Sequence, residues 1–243
     1  MPTQHSTFNI QHYFETILSP ALLPQYDLKG KTVVVIDILR ATSSICVGFN
    51  SGVRLFRPVS NPEDALVLEQ LGFVTAAERN GQKLHGFTLG NSPFDYLNTD
   101  LNNKQVAITT TNGTRCLHLS NEADEIIIGS FLNLQAVAEY CIKQNRDVIA
   151  FCAGWKDKFN LEDTLFAGAL AQLLSNNFII ECDSSLAAMD LFDKAKSDLS
   201  GYIKKASHAQ RFERLGIEKD IDFCMQQSIY NIVPKMVGEN LVL

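Results

Sequence analysis

Thr-Val-Val-Val-Ile-Asp-Ile-Leu-Arg-Ala-Thr-Ser-Ser-Ile, residues 32–45, is the stretch whose reading decides the fold. Val33, Val34, Val35 and Ile36 form a continuous apolar, β-branched run, the pattern of a strand buried on both faces. Asp37 and Arg40 follow at once, then Thr42, Ser43 and Ser44, which are good helix-capping types. Ile45, Cys46, Val47 and Phe49 offer the apolar face of a helix. A strand that ends in a carboxylate and a guanidinium beside a helix N-terminus is the ligand crevice of an open α/β sheet. Hydroxyls, the helix terminus and arginine suit a phosphate, and the aspartate suits magnesium. The plainer alternative is a strand–turn–helix connection closed by an Asp37–Arg40 ion pair.

Two further units repeat the design. Gln105–Thr109 reads as a buried strand followed by Thr110, Thr111, Asn112, Gly113, Thr114 and a short helix to about 119. Residues 147–153 read as another, followed by a loop over 154–159 and a helix over 161–175 capped by Asn160, with Glu162 and Asp163 in its first turn. Between these units the sequence predicts strands over 53–59, 73–77 and Glu125–Gly129. Helices are expected from Asn61-Pro62 to about 72 and from Ser130 to 144. A weak first strand covers 8–13, helices follow at about 184–199, 201–215 and 218–227, and a last strand covers 230–233. Residues 79–103 lack periodicity but hold leucine and aromatics, so they read as an ordered binding loop. Strands alternating with helices imply an α/β protein, a three-layer α/β/α arrangement with a largely parallel or mixed sheet and a helical C-terminal region. All three polar turns are expected at one edge of that sheet. One domain over 1–243 is expected, with two packed halves (about 1–130 and 131–243) as the alternative.

The chain has 243 residues, 46% of them hydrophobic, enough for a large core, and a net charge of -6. That charge, without a basic run, argues against nucleic-acid or membrane-surface binding. No apolar segment approaches the roughly 20 residues of a membrane span. The six cysteines have no pairing or metal-finger spacing and read as reduced thiols, so a cytoplasmic protein is expected.

The turns would bring together Asp37, Arg40, Thr42 and Ser43; Glu78; residues 110–114; and Glu162 with Asp163. Carboxylates amid hydroxyls, amides and arginine match phosphoryl chemistry with Mg²⁺, which wants few carboxylates, several waters and substrate phosphate oxygens. Asp37 and Glu78 are the expected metal ligands, with Glu162 or Asp163 as a further candidate. Arg40 and the 110–114 segment are the expected phosphate holders, and Glu162 or Asp163 orients water. Each has a plainer role: a positive-φ Asn-Gly turn at 112–113, acids serving the helix dipole at 162–163, a solvated strand end at Glu78. His85 and His118 read as structural singletons. Trp155 reads as a lid or a packed aromatic, and Lys156 and Lys158 as candidates to attract an acidic substrate. No Cys-x5-Arg, Gly-x4-Gly-Lys-Ser/Thr, Gly-x-Gly-x-x-Gly or Gly-x-Ser-x-Gly motif occurs. Asp37 lacks the second aspartate two positions on that an aspartyl-phosphate enzyme usually has, since Leu39 stands there, which disfavours it as covalent nucleophile.

Val-Val-Ile-Asp-Ile-Leu-Arg-Ala-Thr (34–42), Glu-Arg-Asn-Gly (78–81), Gly-Phe-Thr-Leu-Gly-Asn-Ser-Pro (86–93), Thr-Thr-Asn-Gly-Thr-Arg (110–115), Ala-Gly (153–154) and Leu-Glu-Asp-Thr-Leu-Phe-Ala-Gly-Ala-Leu (161–170) stand in this order. Together they resemble the 2-phosphosulfolactate phosphatase (ComB-like) family. The resemblance implies a magnesium-dependent phosphatase of an α/β/α fold, acting on phosphate esters of 2-hydroxy acids. The family's named substrate is 2-phospho-3-sulfolactate, in coenzyme M synthesis. Family motifs fall on Asp37, Arg40, Thr42, Glu78, Gly90, Asn91, Ser92, Thr111, Asn112, Gly113, Glu162 and Asp163; Asn91 and Ser92 thus join the expected substrate contacts. Ser207-His208 through residues 220–224 to Val233-Pro234 resembles its C-terminal region, but Ala209 stands where a glycine commonly follows the histidine, and Gln210-Arg211-Phe212 comes next. Ser43-Ser44 also replaces usual threonines. These departures bear on substrate rather than reaction class. A non-catalytic phosphometabolite-binding protein is the rival expectation. The Ala-rich helix and helical C-terminus offer surfaces for a homo-oligomer.

Overall fold

The computed structural model describes residues 12–243. The candidate first strand falls mostly outside them; the described chain starts its sheet at β1 (Phe14–Ile17). β2 (Thr32–Ile36) is the apolar run of the opening stretch. It leads through a turn to α1 (Ala41–Asn50). β3 (Leu55–Pro58) and α2 (Pro62–Glu69) follow, the helix capped by Asn61 Oδ1, which accepts from Asp64 N. Next come β4 (Val74–Arg79) and β5 (Gln82–Lys83), then α3 (Pro93–Leu97), β6 (Gln105–Thr109) and α4 (Gly113–Leu119). β7 (Glu125–Gly129), α5 (Leu134–Gln144), β8 (Val148–Cys152) and α6 (Leu161–Leu174) complete the alternating part. The C-terminal region holds α7 (Asp183–Ala195), α8 (Leu199–Ile203), α9 (Ser207–Leu215) and α10 (Glu218–Cys224), then β9 (Lys235–Val237) and β10 (Asn240–Val242).

The described strands form one mixed sheet in the order β1-β8-β2-β7-β9-β10-β3-β6-β4-β5. β1, β8, β2 and β7 are mutually parallel, as are β3, β6 and β4. The antiparallel β9–β10 hairpin lies between the two groups, pairing with β7 on one side and β3 on the other. The groups therefore run in opposite senses. The β2 pattern explains the layers: Val34 and Ile36 enter a core with α5, α6, α7 and the C-terminal helices, whereas Val33 and Val35 enter one with α1, α3 and α4. Helices thus cover both faces, giving the expected α/β/α layers.

Four expectations change. Residues 230–233 are not a strand; the terminal strands are the hairpin that starts after Pro234. Asn240 pairs with Val237 across Gly238-Glu239, and Gly238 has φ +59°, the positive value that tight hairpin turns demand. Residues 79–103 contain a hairpin and a helix rather than one irregular loop. Asn80 and Gly81 both have positive φ, and Glu78 pairs with Lys83 across them. The helix expected over 201–215 is broken between Ile203 and Ser207. The three polar turns do not share one edge of a flat sheet, because β6 belongs to the reversed group. Accumulated twist still lets the strand ends of both groups meet: a Cβ on Gly113 would lie 2.6 Å from Ala41 Cβ and 2.9 Å from Asp37 Oδ2.

Candidate functional site

Asp37, Leu39, Arg40, Glu78, Gly81, Asn91, Asn112, Trp155, Arg211 and Phe212 line a narrow cleft of about 10 Å³ where those strand ends meet. The turn after β2 is closed by Thr42: its hydroxyl donates to Asp37 O at 2.9 Å and accepts from Asp37 N at 3.2 Å. The turn after β6 is tied the same way, with Thr114 Oγ1 donating to Thr110 O and Thr110 Oγ1 accepting from Thr114 N. Thr164 Oγ1 bonds Asn160 O at the start of α6. Ser43 Oγ donates to Ile38 O and lies 2.9 Å from Ser130 Oγ. The hydroxyls of Thr42, Ser43, Thr110 and Thr114 therefore shape the turns, and it is the main chain between them that is left for a ligand.

The carboxylates differ sharply. Asp37 is buried, with Oδ1 3.4 Å from Ala41 N. Burial first, then the neighbouring Glu78 and Glu162, push its carboxyl up to about 6 against the opposing effects of His208 and the Ala41 amide. Glu78 spends both oxygens, accepting from Gly81 N and, at 3.3 Å, from Thr111 Oγ1. Asp163 accepts from Ile38 N at 2.9 Å, Gly154 N at 3.1 Å and Asn160 Nδ2 at 2.8 Å. It thereby pins the turns after β2 and β8 to α6. Burial, with Asp37 and Glu162 adding to it, raises the Asp163 carboxyl well above its ordinary value. Glu162 Oε1 meets His208 Nδ1 at 2.5 Å, while its buried Oε2 has no partner.

Arg40 does not pair with Asp37. Its guanidinium is clamped by fully buried Asp220, donates to Gly81 O at 2.7 Å and lies over Phe212. Ser92 caps α3 and donates to the other Asp220 oxygen at 3.1 Å. Asn91 faces the cleft with a buried Oδ1 that has no donor. Asn112 lines it too. Trp155 is packed and covers the cleft at once: Arg211 stacks 3.7 Å from its ring centroid, and His208 sits at 5.3 Å. Lys156 and Lys158 are exposed beside it, and His85 and His118 are exposed and do not line the cleft.

Sequence reasoning missed Asp220 and Arg211 as parts of the site, and it raised His208 only for its neighbours. A buried arginine demands a carboxylate, so burial at Arg40 was the signal for Asp220, but no local pattern identifies a partner 180 positions away.

A cation fits this donor set. Among the described residues no three His, Cys, Asp or Glu side chains converge to hold a metal alone. Mg²⁺ needs only one or two carboxylates with waters and phosphate oxygens. Asn91 Oδ1 and Glu162 Oε2 are buried hard acceptors without a donor, beside a carboxyl that burial keeps uncomfortable when ionised.

The sequence model of the family described as 2-phosphosulpholactate phosphatase matches residues 17–239. The chain is 41% identical over 215 residues to a probable 2-phosphosulfolactate phosphatase of Caldanaerobacter subterraneus subsp. tengcongensis, covering 86% of this chain and 89% of that one. It is 39% identical over 222 residues to a protein of the same name from Thermotoga maritima, covering 91% and 96%. A third, from Clostridium acetobutylicum, is 34% identical over 232 residues, covering 94% and 99%.

Proposed function

Since the chain belongs to the 2-phosphosulpholactate phosphatase family, a family of phosphoric monoester hydrolases, we propose that it hydrolyses 2-phospho-3-sulfolactate to 3-sulfolactate and phosphate with Mg²⁺. The observation that carries this reading is the acceptor-rich floor of the cleft: Asp37 raised to about 6 and Asn91 Oδ1 buried without a donor, with Glu162, whose Oε2 is unpartnered, close enough to act on Asp37. A cation over this floor would offset its repulsion of the phosphoryl oxygens. Asp37 would hold Mg²⁺ together with Asn91 Oδ1, with Glu78 beside them; bound there, the ion would offset charge on the phosphoryl oxygens.

The chain's own groups do the rest. Arg40 is held by the Gly81 carbonyl and by Asp220, which offsets its charge, so it is a fixed donor rather than a mobile clamp. Asn112, at the start of α4, lines the cleft, and a turn of this kind suits phosphate oxygens. Of the two carboxylates considered for water, Asp163 is engaged by three donors and positions the turns. Glu162 keeps a free oxygen and is held by His208, so it is the group that takes the proton of the attacking water. Attack at phosphorus then breaks the ester P–O bond, and the departing alkoxide takes up the proton held on Glu162 to leave as the 2-hydroxyl of the acid.

No helix among the described residues is long and apolar enough to cross a membrane. Free cysteines, five of them buried, fit a reducing compartment, and the reading places the enzyme in the cytoplasm. The test is phosphate release from 2-phospho-3-sulfolactate and phospholactate with Mg²⁺ or chelator. Metal-independent turnover, or none, contradicts the reading.

A further inference from the structure

Beyond the cleft lies a larger pocket, lined by Trp155, Lys158, Asn160, Lys205, His208 and Arg211 among others. Arg211 and Trp155 line both spaces and form the wall between them. Arg211 is an unusual cation. Its Nη2 lies 3.0 Å from His208 Nε2, its guanidinium stacks on Trp155, its Nε is buried with no partner, and no carboxylate among the described residues forms an ion pair with it. A guanidinium only donates, so His208 Nε2 accepts and its Nδ1 carries the proton given to Glu162 Oε1. The chain Glu162–His208–Arg211 thus sets the rotamer of Arg211, while Trp155 holds its plane. Arg40, the other guanidinium of the cleft, is neutralised by Asp220. No carboxylate touches Arg211, Glu78 and Glu162 acting on it only from a distance, and exposed Lys158 and Lys205 stand on the same pocket.

We propose that Arg211 is the residue that selects substrate by its second acid group, binding the carboxylate or sulfonate at the wall between cleft and outer pocket while the phosphoryl group lies over Asp37. This rests on the phosphatase reading for the identity of the substrate, but the anion site itself stands on the geometry of Arg211. A planar fork with unused donors matches a carboxylate or a sulfonate face, and the lysines draw a polyanion toward it.

Trp155 is the only tryptophan of the chain, so its emission reports the stack directly. The experiment titrates the full chain, in Mg²⁺, with 3-sulfolactate, lactate, 2-hydroxyethanesulfonate and inorganic phosphate, following Trp155 emission and calorimetric Kd. Wild type is expected to give a saturable emission change with 3-sulfolactate. Lactate against 2-hydroxyethanesulfonate tells which acid group Arg211 holds. Arg211→Gln is expected to weaken 3-sulfolactate by about tenfold or more and leave phosphate within about threefold. Arg211→Lys, which keeps charge and loses the fork, is expected to fall between, and it serves as the test if the glutamine variant does not fold. In kinetics, Arg211→Gln should raise KM for the diacid ester by a larger factor than it lowers kcat. Unchanged 3-sulfolactate affinity in the variants, or equal loss for 3-sulfolactate and phosphate, overturns the assignment, as does absence of 3-sulfolactate binding in wild type. Arg211-dependent binding without phosphate release from any ester would leave this site standing and remove the phosphatase reading instead.

Discussion

At Asp37 the carboxyl ionises near 3.8 in the unfolded chain and near 6 in the fold. Between those values the folded chain keeps the extra proton, so stability falls as pH rises through that window. Above it the ionised group costs about 3 kcal/mol, since each pH step between the two values is worth about 1.4 kcal/mol. Asp37→Asn is therefore expected to stabilise the metal-free protein by about that much at pH 8 and by little at pH 4, as read by denaturant unfolding in chelator. The same variant should lose on the order of a thousandfold in turnover. An activity near wild type would remove Asp37 from the site. Glu162 and Asp163 separate by their hydrogen bonds. Glu162→Gln keeps an acceptor for His208 and removes the free base, so kcat is expected to fall about 100-fold or more with the melting temperature nearly unchanged. Asp163→Ala leaves the Ile38 and Gly154 amides and the Asn160 side chain without an acceptor, so its main effect is loss of stability, by about 2–4 kcal/mol. Thermal unfolding beside single-turnover rates distinguishes the two patterns.

Among the elements, α4 shows how tightly the site is built. Gly113 opens it with no room for a side chain, since a Cβ would meet Ala41 and Asp37 Oδ2. Gly113→Ala is expected to destabilise by about 1–3 kcal/mol and to reduce activity more than stability explains, because the intruding methyl displaces Asp37. Activity falling only in proportion to the unfolded fraction would argue against this. The elements legible in the sequence were those with a strong local signal: the apolar runs of β2, β6, β7 and β8, and the caps at Asn61 and Asn160 that the structure uses as written. The turn residues Thr42, Ser43, Thr110 and Thr114 were legible by position, while their hydroxyl partners were not, because a hydroxyl at a strand end serves backbone or ligand equally well. Asn80-Gly81 carried a hairpin signal, hidden by the two-residue length of β5. Asp220 and Arg211 lie in C-terminal helices where acids and bases ordinarily face solvent, so long-range packing alone brings them to the site.

Across the molecule, the β9–β10 hairpin is the only link in the sheet between the two oppositely running strand groups among the described residues. Leu241 is buried and paired with Phe56, and Lys235 is paired with Ile127. Asp37, Glu162 and Asp163 come from one group; Glu78, Gly81 and Asn112 come from the other. The site exists only while the two remain joined. Removing residues 235–243 exposes the inner edges of β7 and β3, so the truncated chain is expected to aggregate or lose cooperative unfolding, and to lose activity. A truncated chain that melts cooperatively with activity intact would show that helix packing alone sets the geometry. The most direct measurement of the whole account is phosphate release from 2-phospho-3-sulfolactate by wild type and Asp37→Asn across a Mg²⁺ titration. Saturable, Mg²⁺-dependent release by wild type and none by the variant is the predicted result; release that ignores Mg²⁺ or survives the substitution contradicts it.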